Sequence, residues 1–218
     1  MVVKELNRDV SIVVVAEIKK EYCNPIWLFK NKIISEDEMH SIVDEKMKIG
    51  DKWVSFETKN FDLVCDPQRL QIRSMRQEMS GRLSELATDI TRSSMAIVKA
   101  VGINATLRIL INEDPDYLKF CHHCAPMDAF SPMSDNAIML DMTFADWSTK
   151  QTPDIPQKIY NIRKLEDKTR KDHIVQLNLN SHLQIDGDIE KTLHYYKEAP
   201  KIHDEFFANS LKFIESIK

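Results

Sequence analysis

Between Val175 and Ile185 the chain alternates apolar and polar residues, with Val175, Leu177, Leu179, Leu183 and Ile185 on one side and Gln176, Asn178, Asn180, His182 and Gln184 on the other. Successive strand side chains point to opposite faces, so this pattern predicts a long β-strand with one buried and one wet face. The run from Val10 to Ile18 is β-branched and almost continuously apolar. It predicts a strand in the middle of the sheet, covered on both faces. Ser35 and Glu38 have the spacing of a capping box, with Ile34 and Met39 at the staple positions, which predicts a helix from Glu36 to about Lys48 ended by Gly50.

Further along, Asp66-Pro67-Gln68-Arg69 has the composition of a type I turn and joins Phe61–Cys65 to Leu70–Met75 as a hairpin. A long helix should begin at Ser80 and carry one apolar stripe from Leu83 to Val101, with Gly102 as its stop. Ile103–Ile111 then reads as a strand, and residues 112–135, with three prolines and no sustained period, as an irregular excursion. Ile138, Leu140, Met142 and Phe144 alternate as a strand, Thr149–Pro156 is a polar link, and Lys158–Leu165 is a further strand. The charged run Glu166–Asp172 reads as a hairpin tip leading into the strand 173–185. A closing helix starts near Asp188, is interrupted at Pro200 and resumes through Ile202, Phe206, Ile214 and Ile217.

The order is β-α-β-β-α-β followed by β-β-β-α. It predicts one α+β domain over residues 1–218, with a largely antiparallel sheet of about seven strands and helices packed on one face. No internal repeat stands out.

Composition narrows the function classes. The 218 residues are 43% hydrophobic, enough for a sizeable core. With 30 basic against 34 acidic residues and a formal charge of −4, there is no general attraction to phosphate backbones. Nucleic acid is therefore disfavoured as a partner, and Arg69, Arg73, Arg76 and Arg82 are the residues left to argue for it. The first nine residues carry Lys4, Glu5, Arg8 and Asp9 with no apolar stretch of a signal peptide, and no run is apolar enough to span a bilayer. The expectation is a cytoplasmic chain with no membrane contact. The four glycines are far apart, which excludes loops that cradle phosphate.

Two clusters carry candidate chemistry. Cys121-His122-His123-Cys124 pairs thiolates with imidazoles, and a C-x-x-C knuckle lets two sulfurs approach one zinc ion. Cys121 and Cys124 are thus the candidate metal ligands, and zinc the one cofactor to consider. They supply two of the four ligands required, and the plainer reading is two semi-buried thiols in a loop. Cys23 likewise reads as a nucleophile only if its surroundings are electropositive, and otherwise as a small buried hydrophobe. Asn178, Asn180, His182 and Gln184 share one strand face and are the candidate binding residues, against the alternative of a solvent-facing ladder. Solvent faces generally carry Lys and Glu, and this one does not, which also leaves the strand open to association.

The motifs Asn24-Pro25-Ile26-Trp27, Asp66-Pro67-Gln68-Arg69-Leu70-Gln71-Ile72, Val101-Gly102-Ile103-Asn104 and Asn178-Leu179-Asn180-Ser181-His182 together resemble those of uncharacterised small bacterial α+β proteins of similar length. The resemblance spans most of the chain and implies a bacterial or phage-like soluble α+β protein, with no established activity and no catalytic residue to carry over. The residues themselves assemble no catalytic constellation, so the leading expectation is a non-catalytic interaction protein or accessory subunit. It would act by self-association, as a homo-oligomer, or by binding a protein partner. The runner-up is an enzyme or small-ligand-binding protein with a pocket over the polar 176–184 face, in which zinc at Cys121 and Cys124 is an option.

Overall fold

The structure, a computed structural model, describes residues 3–42, 44–125, 139–146, 154–165 and 173–217. The strands are β1 (Val3–Ala16), β2 (Lys48–Ile49), β3 (Val54–Glu57), β4 (Asp62–Asp66), β5 (Arg69–Ser74), β6 (Val98–Ile111), β7 (Asp141–Ala145), β8 (Gln157–Leu165) and β9 (His173–Gln184). They form one sheet in the order β2-β3-β4-β5-β1-β6-β9-β8-β7, every pairing antiparallel. The helices are α1 (Pro25–Lys30), α2 (Glu36–His40), α3 (Ser80–Ser94), α4 (Asp114–Cys124) and α5 (Ile189–Glu215). The expected α+β fold is present, with nine strands in place of about seven because β2 and β3 add a short wing.

The alternation in β9 does what its period implies. Val175, Leu177, Leu179 and Leu183 are buried on the face that α5 covers, while Asn180 and Gln184 are exposed on the other. Ser181 interrupts the apolar side and is fully buried, and the Tyr195 hydroxyl of α5 bonds both its backbone oxygen (2.8 Å) and its Oγ (2.9 Å). β1 lies at the centre of the sheet, as expected. Only its helical face is apolar throughout (Val10, Ile12, Val14), since Asp9 and Ser11 are buried on the other.

Three helix boundaries differ from the sequence pattern. The Ser35–Glu38 capping box is formed, but α2 ends at His40 rather than near Lys48. α3 stops at Ser94, where Met95 takes the left-handed conformation (φ 49°), so Val98–Val101 opens β6 and Gly102 lies inside a strand. The Ser80 side chain does not cap α3; it pairs with His203 of α5. Pro200 does not interrupt α5, which runs unbroken for 27 residues. Part of the expected excursion is helical as well, being α4. Residues 126–135 of that excursion, Ile138, residues 149–153 and the 166–172 tip lie outside the described residues.

The element order contains a repeat that the residues do not display. β1 leads through α1 and α2 to the meander β2–β5 and then to α3, and β6 leads through α4 to the meander β7–β9 and then to α5. In the sheet, β5, β4 and β3 flank β1 just as β9, β8 and β7 flank β6. β1 and β6 are each 14 residues long and pair antiparallel, so a local twofold perpendicular to the sheet relates the halves. Such an axis keeps α3 and α5 on the same face, where they pack side by side through Ser84 and Thr91 against Tyr196.

Candidate functional site

The two halves differ in how their outer strands are covered. In the first, a 3-10 turn at Lys20–Cys23 lies over β4, with the Cys23 thiol against Cys65. α2 holds the β3–β4 turn through Lys59 N–H to Ser41 Oγ (3.0 Å) and Asn60 to Glu38 (3.4 Å), and Glu38 fastens it to Arg82 of α3 at 2.7 Å. Under this cap Val54 and Phe56 are 1% and 2% exposed. In the second half Leu140 and Phe144, at and beside β7, are 59% and 47% exposed. α4 packs at the far end of α5 instead, with Phe120 and His123 against Phe213 (ring centroids 6.1 and 5.4 Å).

An apolar groove results between α5 and the β7–β9 wing. Its floor is Phe144, Tyr160, Ile162, Leu177 and Leu179, and its wall is Ile202, Phe206 and Phe213, enclosing about 320 Å³. A second cavity of about 400 Å³ continues along α5 past Leu183 and Tyr195, and the two share Lys158, Ile202 and Glu205. Phe144 and Tyr160 stack with centroids 5.2 Å apart. Burial, together with the charges of Asp146 and Glu205, raises the Tyr160 hydroxyl above its ordinary pKa, so the phenol stays protonated as a donor. Glu205, Asn209 and Ser210 supply the polar margin.

The binding residues expected from sequence lie on the opposite face of the sheet. Asn178 Oδ1 accepts from Thr106 Oγ1 (2.9 Å) and Gln176 Nε2 (2.9 Å), and its Nδ2 donates to Asn161 Oδ1 (3.1 Å). Arg108 donates to Gln176 (2.8 Å) and approaches Asp9 at 3.5 Å, and Arg73 meets Asp9 at 2.8 Å. A belt of mutually satisfied side chains therefore crosses the sheet from β8 to β5. Asn178 also borders the groove, while Asn180, His182 and Gln184 line no described cavity. The four arginines considered for nucleic acid each face a carboxylate: Arg69–Asp66 (3.5 Å), Arg73–Asp9, Arg76–Glu78 (3.8 Å) and Arg82–Glu38.

Cys121 and Cys124 sit one turn apart on α4, not in a loop, the first buried and the second half-buried. Burial and then the proximity of Cys121 push the Cys124 thiol up to about 12, which keeps it protonated. Among the described residues no three His, Cys, Asp or Glu side chains are grouped to hold a metal ion. Cys23 is fully buried, and its bond to Cys65, with burial, raises its pKa, which describes an inert thiol rather than a nucleophile.

Among the described residues two serine–histidine pairs occur, and neither is arranged for catalysis. Ser80 and His203 are 3% and 0% exposed. Ser216 Oγ donates to the Phe213 backbone oxygen at 2.7 Å, so toward His123 Nε2 (3.2 Å) it acts as acceptor. Sequence reasoning missed the groove because Phe144, Tyr160, Ile202 and Phe206 look like core residues, and only the tertiary arrangement shows what the described residues leave uncovered. Comparison of the chain with protein-family models finds no match, and comparison with curated proteins finds none either.

Proposed function

We propose that the chain is a non-catalytic interaction protein that seats a short, apolar, helix-forming segment of a protein partner in the groove between α5 and the β7–β9 wing. The observation that carries this is the contrast between the halves: among the described residues no helix lies over β7, where Leu140 and Phe144 are exposed. The topologically equivalent wing of the first half is closed by a helical cap that places Leu28, Ile33 and Ile34 in the core. An amphipathic helix laid into an apolar groove is a common mode of recognition. The polar groups at the margin are suited to orienting such a segment, while the interior offers carbon surface.

The size of the cavity favours a second reading, a small apolar ligand, since about 320 Å³ falls at the lower end of the roughly 300–1,000 Å³ typical of ligand pockets. Fluorescence titration with an anilinonaphthalene sulfonate dye, followed by displacement, separates the two. The dye should bind folded protein saturably and be displaced by amphipathic helical peptides. Asn209→Trp, which fills the groove from an exposed position, and Phe144→Glu should each abolish binding. Displacement by small apolar molecules but not by peptides selects the second reading. Dye binding that is absent, or indifferent to both substitutions, contradicts both.

A further inference from the structure

We propose that β7 is a self-pairing edge, through which two copies of the chain join antiparallel into one continuous sheet. This rests on the strand edges rather than on the groove.

Among the described residues the sheet ends in β2 on one side and β7 on the other. β2 is two residues long, with Lys46 and Lys48 at hand, a short and charged edge of the kind that resists pairing. β7, Asp141-Met142-Thr143-Phe144-Ala145, contains no lysine and no proline, keeps an unbroken register with β8, and is exposed at four of its five positions. Its one charge does not guard the edge, because the Asp141 carboxylate is turned back to Arg163 (2.8 Å) and Asn161.

The ladder fixes which backbone groups are available. Lys164 N–H bonds Leu140 O (2.8 Å) and Asp146 N–H bonds Lys158 O (3.0 Å), so the even-numbered residues of this segment face β8. Bonding alternates along an antiparallel pair, and the N–H and C=O groups of Asp141, Thr143 and Ala145 therefore point outward.

The strand is also complementary to itself. In an antiparallel pairing centred on Thr143, Thr143 meets its own copy, Asp141 lies opposite Ala145, and Met142 lies opposite Phe144 on the helical face. No like charges are opposed, and both the threonine pair and the sulfur–aromatic pair are favourable. Pairing by a second copy would bring both α5 helices to one face and extend the floor of each groove with the partner's β7. A five-residue edge is small beside a standard interface, so the dimer is a weak, concentration-dependent one.

Analytical ultracentrifugation and amide hydrogen exchange on the full chain test this. The expected mass rises toward that of a dimer as concentration approaches about 1 mM, and Thr143→Pro weakens association by about tenfold or more. That substitution removes the central outward donor and leaves the backbone ladder to β8 intact, losing only the side-chain bond from Asn161 Nδ2 to Thr143 Oγ1 (2.9 Å), and proline is tolerated on an edge. Ala145→Asp, which sets a carboxylate opposite Asp141 of the second copy, should do the same, and decides the matter if Thr143→Pro fails to fold. At high concentration the amides of Asp141, Thr143 and Ala145 should slow, while those of Met142 and Phe144 are protected throughout. A chain that stays monomeric at every concentration overturns the proposal. So does a dimer that survives Ala145→Asp with the outward amides still exchanging fast.

Discussion

The Ser84 hydroxyl of α3 donates to the backbone oxygen of Tyr196 at 2.8 Å, and that oxygen is the one left without its helical partner by Pro200, four residues on in α5. A proline inside a helix removes one such bond, and a buried carbonyl then needs another donor. Helix packing supplies it, which is why α5 continues. Ser84→Ala should cost about 1–3 kcal/mol in urea unfolding, the range for leaving a buried acceptor unsatisfied. In a Pro200→Ala background, where the helix can restore its own bond, the same change should cost much less. Equal costs in both backgrounds would show that the hydroxyl does not substitute for the missing amide.

His203 belongs to α5 and faces the start of α3, fully buried, with Nδ1 paired to Ser80 Oγ and Nε2 without a hydrogen-bond partner. Burial lowers its pKa from 6.5 to about 4. Between those values the unfolded chain holds a proton that the folded chain does not, so acid favours unfolding. The contribution of the neutral imidazole is whole above pH 6.5 and lost by pH 4, amounting to about 3 kcal/mol. Stability measured across this window should fall less steeply in His203→Gln than in the parent chain.

Glu38 and Arg82 join the first-half cap to α3, with the carboxylate side chain 4% exposed. Burial alone would raise its pKa, but the bonds from Arg82 and the Ser35 N–H, with the Arg82 charge, outweigh it and hold the carboxyl below its usual value. Arg82→Ala leaves that carboxylate buried without its counter-ion and should cost about 3 kcal/mol, within the range for breaking one partner of a buried pair. Thermal unfolding checks this, and a second, cap-specific transition at lower temperature would be consistent with the cap loosening first.

His182 and Asn180 are the residues that the sequence marked most plainly, and they point away from the groove. His182→Ala and Asn180→Ala should each change stability by no more than about 0.5 kcal/mol, as for ordinary surface positions, and leave dye binding intact. Loss of binding in either variant would move the site to the polar face.

The legible parts of the fold were those governed by local rules. The β9 alternation, the Asp66–Arg69 turn and the Ser35–Glu38 box each need only a few neighbouring residues, and each is present. Errors came where a distant group decides. Ile97, Val98 and Val101 continue the helical stripe of α3, yet Met95 adopts a left-handed conformation normally left to glycine, and Ile97 is 74% exposed beyond it. Pro200 reads as a break because Ser84 lies 112 residues from Tyr196, the residue whose freed oxygen it satisfies. The topological repeat and the groove were invisible for the same reason, since neither depends on residue identity at a fixed spacing.

The proposed docking surface lies on the helical face between α5 and the outer strands. Methyl-resolved NMR during titration with an amphipathic helical peptide tests it most directly. Shifts should concentrate at Ile162, Leu177, Leu179 and Ile202, which line the groove. Shifts confined to Val13, Val15 and Ile159, which lie along the opposite face of the sheet, would contradict it.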